Sequence, residues 1–194
     1  MAGPTRILAI ETASEACSIA LFEGGKCLAH DHRVLGRGHA EALIPMIAGL
    51  PDRGKAQRIC VSRGPGSFTG VRIGIAAARA LGLAWGAEVL GYPTLALVAA
   101  MARIDHPGEA VTVAMTGGHG EWFVQHFDHD GLPEEALSIR ASAPAARGQL
   151  GEHRNSDHAG DNKSGLYDAE GNSVVAGRGW SCHPVQHHNI DPSV

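Results

Sequence analysis

The sequence predicts an α/β fold with mixed sheets. In the first hundred residues, short β-rich runs alternate with apolar patterns that repeat every three or four residues, giving the order β-β-β-α-β-α-β-α. Three consecutive strands form an antiparallel meander, and the later strand–helix–strand units add parallel strands to it. With 194 residues, 44% of them hydrophobic, the chain can bury a core in one large domain or two small lobes.

The meander is predicted from three runs and the turns between them. Arg6–Glu11 and Ala16–Glu23 are β-rich, and Cys27–Arg33 returns after Gly24 and Gly25. Two adjacent glycines supply the positive φ that a tight hairpin turn requires. The three runs are therefore expected to pair in chain order.

Alternating helices and strands follow the meander. Apolar residues of Gly38–Leu50 repeat at helical spacing, and Pro51–Gly54 ends this first helix. The next predicted elements are a strand at 58–62, a tight loop at 64–70, a helix at 71–85, a strand at 88–91 and a helix at 94–102. This is the order of a ribonuclease-H-like lobe, the building block of the actin-like, sugar-kinase and Hsp70-like ATPases (the ASKHA fold).

A second unit is predicted to begin after residue 104. Strands are expected at 110–116 and 121–128, with a weaker one near 136–140. Residues 141–194 contain seven Leu, Ile, Val or Phe residues in 54, too few to bury a helix and a sheet. We therefore divide the chain into a ribonuclease-H-like lobe (1–104), the start of an incomplete second lobe (105–140) and a divergent, poorly packed or disordered tail (141–194) with a strand and turn at 173–179.

Composition and charge narrow the class of protein. A net charge of −4 argues against a generally basic nucleic-acid-binding protein. The chain contains no apolar run of about 18 residues, no signal peptide and no CxxC pair among its four cysteines, so we expect a soluble cytoplasmic protein. Residues 33–79 contain eight basic and two acidic residues, against eight and eighteen elsewhere. This segment is either solvated surface or a basic face for a phosphate-bearing ligand or an acidic partner.

The loop at 64–70 is the most specific local motif. It joins a strand to a helix, where backbone N–H groups and the helix dipole favour an anion. No Lys-Ser/Thr pair follows Gly70, as a Walker A loop requires, and Thr69 replaces the third glycine of a dinucleotide fingerprint. A glycine-demanding turn, a phosphate site and a dinucleotide site all stay open. The candidate phosphate-binding residues are Gly64, Pro65, Gly66, Ser67, Thr69 and Gly70, with Glu11 and Thr12.

Two other polar features are weaker. In ATPases of this lobe type, the turn after the first strand carries an acid and hydroxyls for metal and phosphate, but here Ala13 replaces the usual glycine. His39 opens the first helix with no histidine four residues later, which favours a capping or surface role over metal ligation. We predict no metal site.

The residues of three segments resemble the TsaB (YeaZ) family of bacterial tRNA-modification proteins. The segments are ILAIETASEACSIALFEGG, GRGHAEALIPMI and SRGPGSFTGVRIGIAAARALGLAWG, the last being the most specific because GPGSFTG followed by VRIG is the family's signature. AVTVAMTGGHGEWFVQHFD is also similar, so the resemblance covers residues 6–128; beyond residue 141 only VVAGRGW matches. The resemblance implies an ASKHA fold.

The resemblance also implies a function. TsaB proteins help to install threonylcarbamoyl on the adenosine 3′ of the anticodon, beside the catalytic sister subunit TsaD, the ATPase TsaE and the upstream synthase TsaC. The sister subunit carries a metal-binding His-x-x-x-His motif, whereas the corresponding stretch here, 91–98, contains no histidine. The implied role is therefore a non-catalytic subunit that binds tRNA only through the complex, forms a homodimer when alone and contacts no membrane. It has no resident cofactor, although ATP or ADP at the partner interface stays open.

A partner surface is predicted on the first two helices. Small residues of the second helix permit close helix–helix contact, although the same stripe can pack on its own sheet. The alternative function is a stand-alone nucleotide-binding enzyme that uses Glu11 and the loop at 64–70. The candidate partner residues are His39, Leu43, Met46, Ile47, Leu50, Gly74, Ala77, Ala78 and Leu81.

Overall fold

Two mixed sheets, one of five strands and one of six, organise the chain. The computed structural model describes residues 4–116, 121–134 and 136–141, and the backbone of three further strands at 151–152, 166–167 and 173–177. The first sheet is built from the segments before residue 93, and the second from the segments after residue 110.

The first sheet follows the predicted meander. Its strands are β1 (Arg6–Glu11), β2 (Ala16–Glu23), β3 (Lys26–Val34), β4 (Arg58–Ser62) and β5 (Glu88–Tyr92), in the order β3-β2-β1-β4-β5. β2 pairs antiparallel with β1 and β3, whereas β4 pairs parallel with β1 and β5. Gly24 and Gly25 form the β2–β3 turn with φ of 57° and 84°, as their sequence predicted. This strand order confirms the ribonuclease-H-like lobe.

Two helices cover one face of the first sheet. These are α1 (His39–Gly49), which a 3-10 turn over Pro51–Gly54 follows, and α2 (Phe68–Trp85). Alternate residues of the central strands point toward these helices, and they are the fully buried ones. The core contains Leu8, Ile10, Ile19, Leu21, Leu43, Met46, Ile47, Ile59, Val61 and Ala78.

A helix that follows the last strand of the first sheet packs against the second sheet. Its strands are β6 (Val111–Thr116), β7 (Glu121–Phe127), β8 (Ser138–Ala141), β9 (Gly151–Glu152), β10 (Leu166–Tyr167) and β11 (Ser173–Gly177), in the order β8-β7-β6-β11-β10-β9. α3 (Thr94–Asp105) packs Leu95, Val98, Ala99 and Ala102 against Phe127 and the central strand. α3 therefore belongs to the core of the second sheet, and the proposed boundary after residue 104 stays a prediction.

Helix ends differ most from the sequence-based bounds. α2 begins at Phe68 rather than residue 71, because the Ser67 side chain accepts the Gly70 N–H at 3.2 Å and so caps the helix. α3 extends to Asp105, three residues beyond its predicted end. The predicted strand at 173–179 is found over Ser173–Gly177, parallel to β6. Most of the tail that is predicted to be poorly packed or disordered lies outside the described residues, and the incomplete second lobe stays a prediction.

Candidate functional site

The turn after β1 and the loop before α2 are in direct contact. The Ser67 N–H donates to the Ala13 carbonyl at 2.7 Å. The Thr12 hydroxyl, which is fully buried, donates to the Gly70 carbonyl at 2.8 Å. These bonds direct two potential phosphate donors, the Ser67 N–H and the Thr12 hydroxyl, toward the protein itself.

Three glycines make this contact possible. A Cβ at Gly70 would overlap the Thr12 carbonyl oxygen, and one at Gly66 would overlap the carbonyl oxygen of Ala13. A Cβ at Gly74 would overlap the Thr12 hydroxyl oxygen. Of the three interpretations of this loop, the contacts match the glycine-demanding turn. Phosphate binding at Gly64, Pro65, Gly66, Ser67, Thr69 and Gly70 stays a prediction.

Glu11 lies buried at the carboxyl end of β1, and its side chain is only 7% exposed. Its Oε1 accepts the Ala13 N–H at 2.5 Å, and its Oε2 lies 3.5 Å from the Tyr92 hydroxyl. That hydroxyl also donates to the Ile10 carbonyl at 3.0 Å. Burial raises the pKa of Glu11, although hydrogen bonds from Ala13 and Ser62 oppose the shift. The carboxyl group therefore lies inside the lobe, where it holds the turn that follows β1.

The polar side chains at the end of β1 are already hydrogen-bonded within the lobe. Glu11 and Thr12 are both committed to internal hydrogen bonds. Within the described part of the chain, no three His, Cys, Asp or Glu side chains group in a way that could hold a metal ion. At the start of α3, Thr94 is buried, and its hydroxyl lies 2.7 Å from the Ser62 hydroxyl. This pair of hydroxyls joins β4 of the first sheet to α3.

His39 is a structural residue, which corrects the prediction of a capping or surface histidine. Its side chain is buried, and its Nε2 lies 3.1 and 3.2 Å from the carbonyl oxygens of Ser14 and Ala16. A ring nitrogen shared by two carbonyl oxygens acts as a donor. The N-cap is instead Gly38, in the left-handed conformation with no side-chain cap. His39 therefore fastens α1 to the turn after β1.

The predicted partner residues lie mostly inside the first unit, which corrects the choice of residues for that surface. Six of them, Leu43, Met46, Ile47, Leu50, Gly74 and Ala78, are buried, as is His39. Ala77 and Leu81 are partly buried against the same core. A side chain that is enclosed by its own sheet and helices has no surface to offer a partner, so these residues stabilise the lobe.

The opposite side of the same helices is exposed and largely apolar. Ile44, Phe68 and Leu83 are 48%, 69% and 89% exposed. Arg72 places its guanidinium 3.5 Å from the centre of the Phe68 ring. We call this surface the α1–α2 face; it contains Ala40, Ile44, Ala48, Phe68, Arg72, Ala76, Arg79, Ala80, Leu83 and Ala84. Sequence reasoning missed it because both sides of these helices carry apolar residues at helical spacing.

Comparison with known proteins gives the family. The family model described as "TsaD: tRNA N6-adenosine threonylcarbamoyltransferase" matches residues 33–136. The "tRNA threonylcarbamoyladenosine biosynthesis protein TsaB" of Escherichia coli (strain K12) is 39% identical over 132 residues, which are 64% of this chain and 56% of that protein. A Pseudomonas aeruginosa structure, described as an uncharacterized protein with similarity to peptidase YEAZ, is 31% identical with a TM-score of 0.65, covering 71% of this chain and 67% of that one. The chain belongs to the TsaB (YeaZ) family, within the wider group that the TsaD model matches.

The TsaB likeness extends over both sheets. The structure described as YeaZ from Pseudomonas aeruginosa is 30% identical with a TM-score of 0.63, and covers 70% of this chain and 66% of that one. The chain spans about half the length of the curated TsaB relatives it matches. None of the described helices is both long enough and apolar enough to cross a membrane.

Proposed function

We propose that this TsaB-family chain is a non-catalytic subunit of the complex that installs threonylcarbamoyl on the adenosine 3′ of the tRNA anticodon. It pairs with a TsaD-type catalytic subunit through the α1–α2 face. The observation that carries the pairing is the exposure of Ile44, Phe68 and Leu83 on one helical layer. Apolar patches of this kind, where the surrounding surface is polar, are typical of protein–protein contacts.

The state of the β1 turn supports a non-catalytic role. Glu11 and Thr12 are buried, and both are bonded to the backbone of their own lobe. A nucleotide or metal would have to displace these bonds and uncover a buried carboxyl group. The same contacts weigh against the alternative of a stand-alone nucleotide-binding enzyme. A calorimetric ATP titration of the purified chain tests that alternative directly.

The remaining partners follow from the same role. A TsaE-type ATPase joins the complex, tRNA is bound only once the complex has formed, and the chain alone forms a homodimer through the same face. The site open to ATP or ADP is the interface between subunits rather than Glu11. A cytoplasmic location follows from acting on tRNA.

The decisive experiment places a charge on the α1–α2 face. Leu83→Glu is expected to weaken binding of a TsaD-type subunit roughly a hundredfold, because a central apolar contact would then bury a carboxylate. Leu83 is 89% exposed, so the free chain should keep its melting temperature. Binding is measured by isothermal titration calorimetry. Leu132→Glu, which alters a 62% exposed leucine beyond the first lobe, is the matched control.

Two results would contradict the proposal. The first is transfer of threonylcarbamoyl to tRNA by the purified chain in the absence of its sister subunit. The second is normal binding of the TsaD-type subunit by Leu83→Glu together with normal activity of the reconstituted complex. A fall in the melting temperature of Leu83→Glu would show that this side chain supports the fold, and Ile44→Glu would then replace it.

A further inference from the structure

The α1–α2 face carries two positively charged side chains, those of Arg72 and Arg79. Elsewhere in the first lobe, Arg33 and Arg58 form ion pairs with Asp31 and Glu88, at 2.7 and 2.8 Å. Among the described residues, neither Arg72 nor Arg79 forms an ion pair within 4.0 Å. α2 contains no acidic residue along its whole length.

Helical spacing places both charges within the apolar surface. Arg72, Ala76, Arg79 and Leu83 follow one another at intervals of four, three and four residues, and all four are exposed. Residues with this spacing share one side of an α-helix. A partner that covers Ala76 and Leu83 therefore also covers or borders both guanidinium groups.

Arg72 and Arg79 would affect a second copy of this chain and a different subunit in opposite ways. In a symmetric homodimer, a surface meets a copy of itself, so four arginines would converge on one apolar contact. Like charges brought together in this way oppose association. An apolar helical surface bordered by carboxylates would instead form ion pairs with the same two side chains. Glu41, on α1, is the one acid of the two helices and cannot balance both arginines.

We propose that Arg72 and Arg79 set the specificity of the α1–α2 face: they favour a different subunit whose apolar docking surface is bordered by Asp or Glu side chains, and they weaken self-association. This inference rests on the proposed function, because it concerns the same face. It adds the chemistry of the partner and the reason that the heteromeric contact prevails over the homodimer.

The test measures two associations of the same variant. Arg72→Gln with Arg79→Gln removes two charges; Lys26→Gln with Arg33→Gln removes two from β3, at the edge of the sheet, and is the control. Self-association of the full chain is measured by sedimentation equilibrium, and binding to the TsaD-type subunit by calorimetry. The face variant should self-associate roughly tenfold more tightly and bind the TsaD-type subunit roughly tenfold more weakly. The control should change neither value.

Salt dependence provides an independent readout on the unaltered chain. At about 0.5 M salt, charges are screened over a much shorter distance than the ~10 Å that holds at 0.1 M. Added salt should therefore strengthen self-association and weaken binding to the TsaD-type subunit. A variant that shifts both associations in the same direction, or neither, overturns the inference. Failure of the unaltered chain to bind the TsaD-type subunit at any salt concentration would instead overturn the proposed function.

Discussion

The two sheets share a strand plan but differ in how they are covered. In each, a central strand pairs antiparallel with the next strand along the chain and parallel with a later one. The first sheet has α1 and α2 from its own connections, and β1 is fully buried at only some of its positions. In the second sheet, α3 arrives from the preceding unit, and residues 111–115 of β6 are all buried.

The two sheets also differ in the number of polar side chains that they bury. The first sheet and its loops enclose Glu11, Thr12, His39 and Ser62, each with a hydrogen-bond partner. Among the described residues of the second sheet, Thr112 is the one buried polar side chain, and its hydroxyl lies 2.7 Å from His126 Nδ1. The first unit therefore depends on close backbone approach at its polar end, and the second depends on apolar contact with α3.

The largest expected effect tests whether the first unit depends on the close approach of the β1 turn and α2. Gly70→Ala should destabilise the chain by about 4 kcal/mol or more, because the new Cβ would overlap the Thr12 carbonyl oxygen and the backbone has little room to yield. Urea unfolding measures the loss. Hydrogen exchange should show that β1 and the start of α2 open before β6 does.

Gly49→Ala is the matched control for this change. Gly49 lies in α1, where a Cβ would meet no atom within 4 Å beyond the backbone of its own helix, and alanine has the higher helix propensity. This control should leave stability unchanged or raise it by up to ~1 kcal/mol. Equal stability of Gly70→Ala and Gly49→Ala would show that the β1 turn tolerates separation from α2.

The next largest effect tests the placement of α3. Leu95→Ala should cost about 3 kcal/mol, because Leu95 is fully buried against the second sheet. Hydrogen exchange should rise first in β6 and β7 rather than in β1 and β2. Ile104→Ala, on the same helix at 67% exposure, should change stability by less than ~0.5 kcal/mol. Earlier opening of the first sheet in Leu95→Ala would assign α3 to that unit instead.

The smallest effect concerns Glu11, the buried acid of the first unit. The described residues of the second sheet include no buried acid. Burial raises the pKa of Glu11 in the folded chain, so the folded state holds this proton more tightly than the unfolded state does. Its contribution to stability is therefore present below the unfolded pKa and lost as pH rises through the folded one. Glu11→Gln should reduce the fall in unfolding free energy between about pH 4 and neutrality.

Urea unfolding at several pH values measures this slope. Over a pH range in which the two states differ by one bound proton, the slope is about 1.4 kcal/mol per pH unit. Glu15→Gln, which alters an exposed acid of the same turn, is the control. An unchanged slope in Glu11→Gln would mean that the carboxyl group titrates alike in the folded and unfolded chains.

Local chemistry by itself determined the elements of the first unit. The bounds of β1, β2 and β4 agree with their predicted positions, because alternating β-rich runs ended by turn residues depend on neighbours along the chain. The glycines of the 64–70 loop were also evident, since backbone turns of this kind require them. The sequence did not reveal the role of these glycines, because the same residues can expose backbone N–H groups to a phosphate or bring two backbones into contact.

Only the tertiary structure decided which side of each helix is buried and which sheet receives α3. Leu43 and Ile44 are adjacent apolar residues, yet one is buried and the other is 48% exposed. Their hydropathy is alike, and the difference arises from the direction in which α1 meets the sheet. Likewise, His39 is polar at a helix start, but two carbonyl oxygens distant in sequence hold it inside. Burial is a property of packed surfaces, so residue type along the chain cannot specify it.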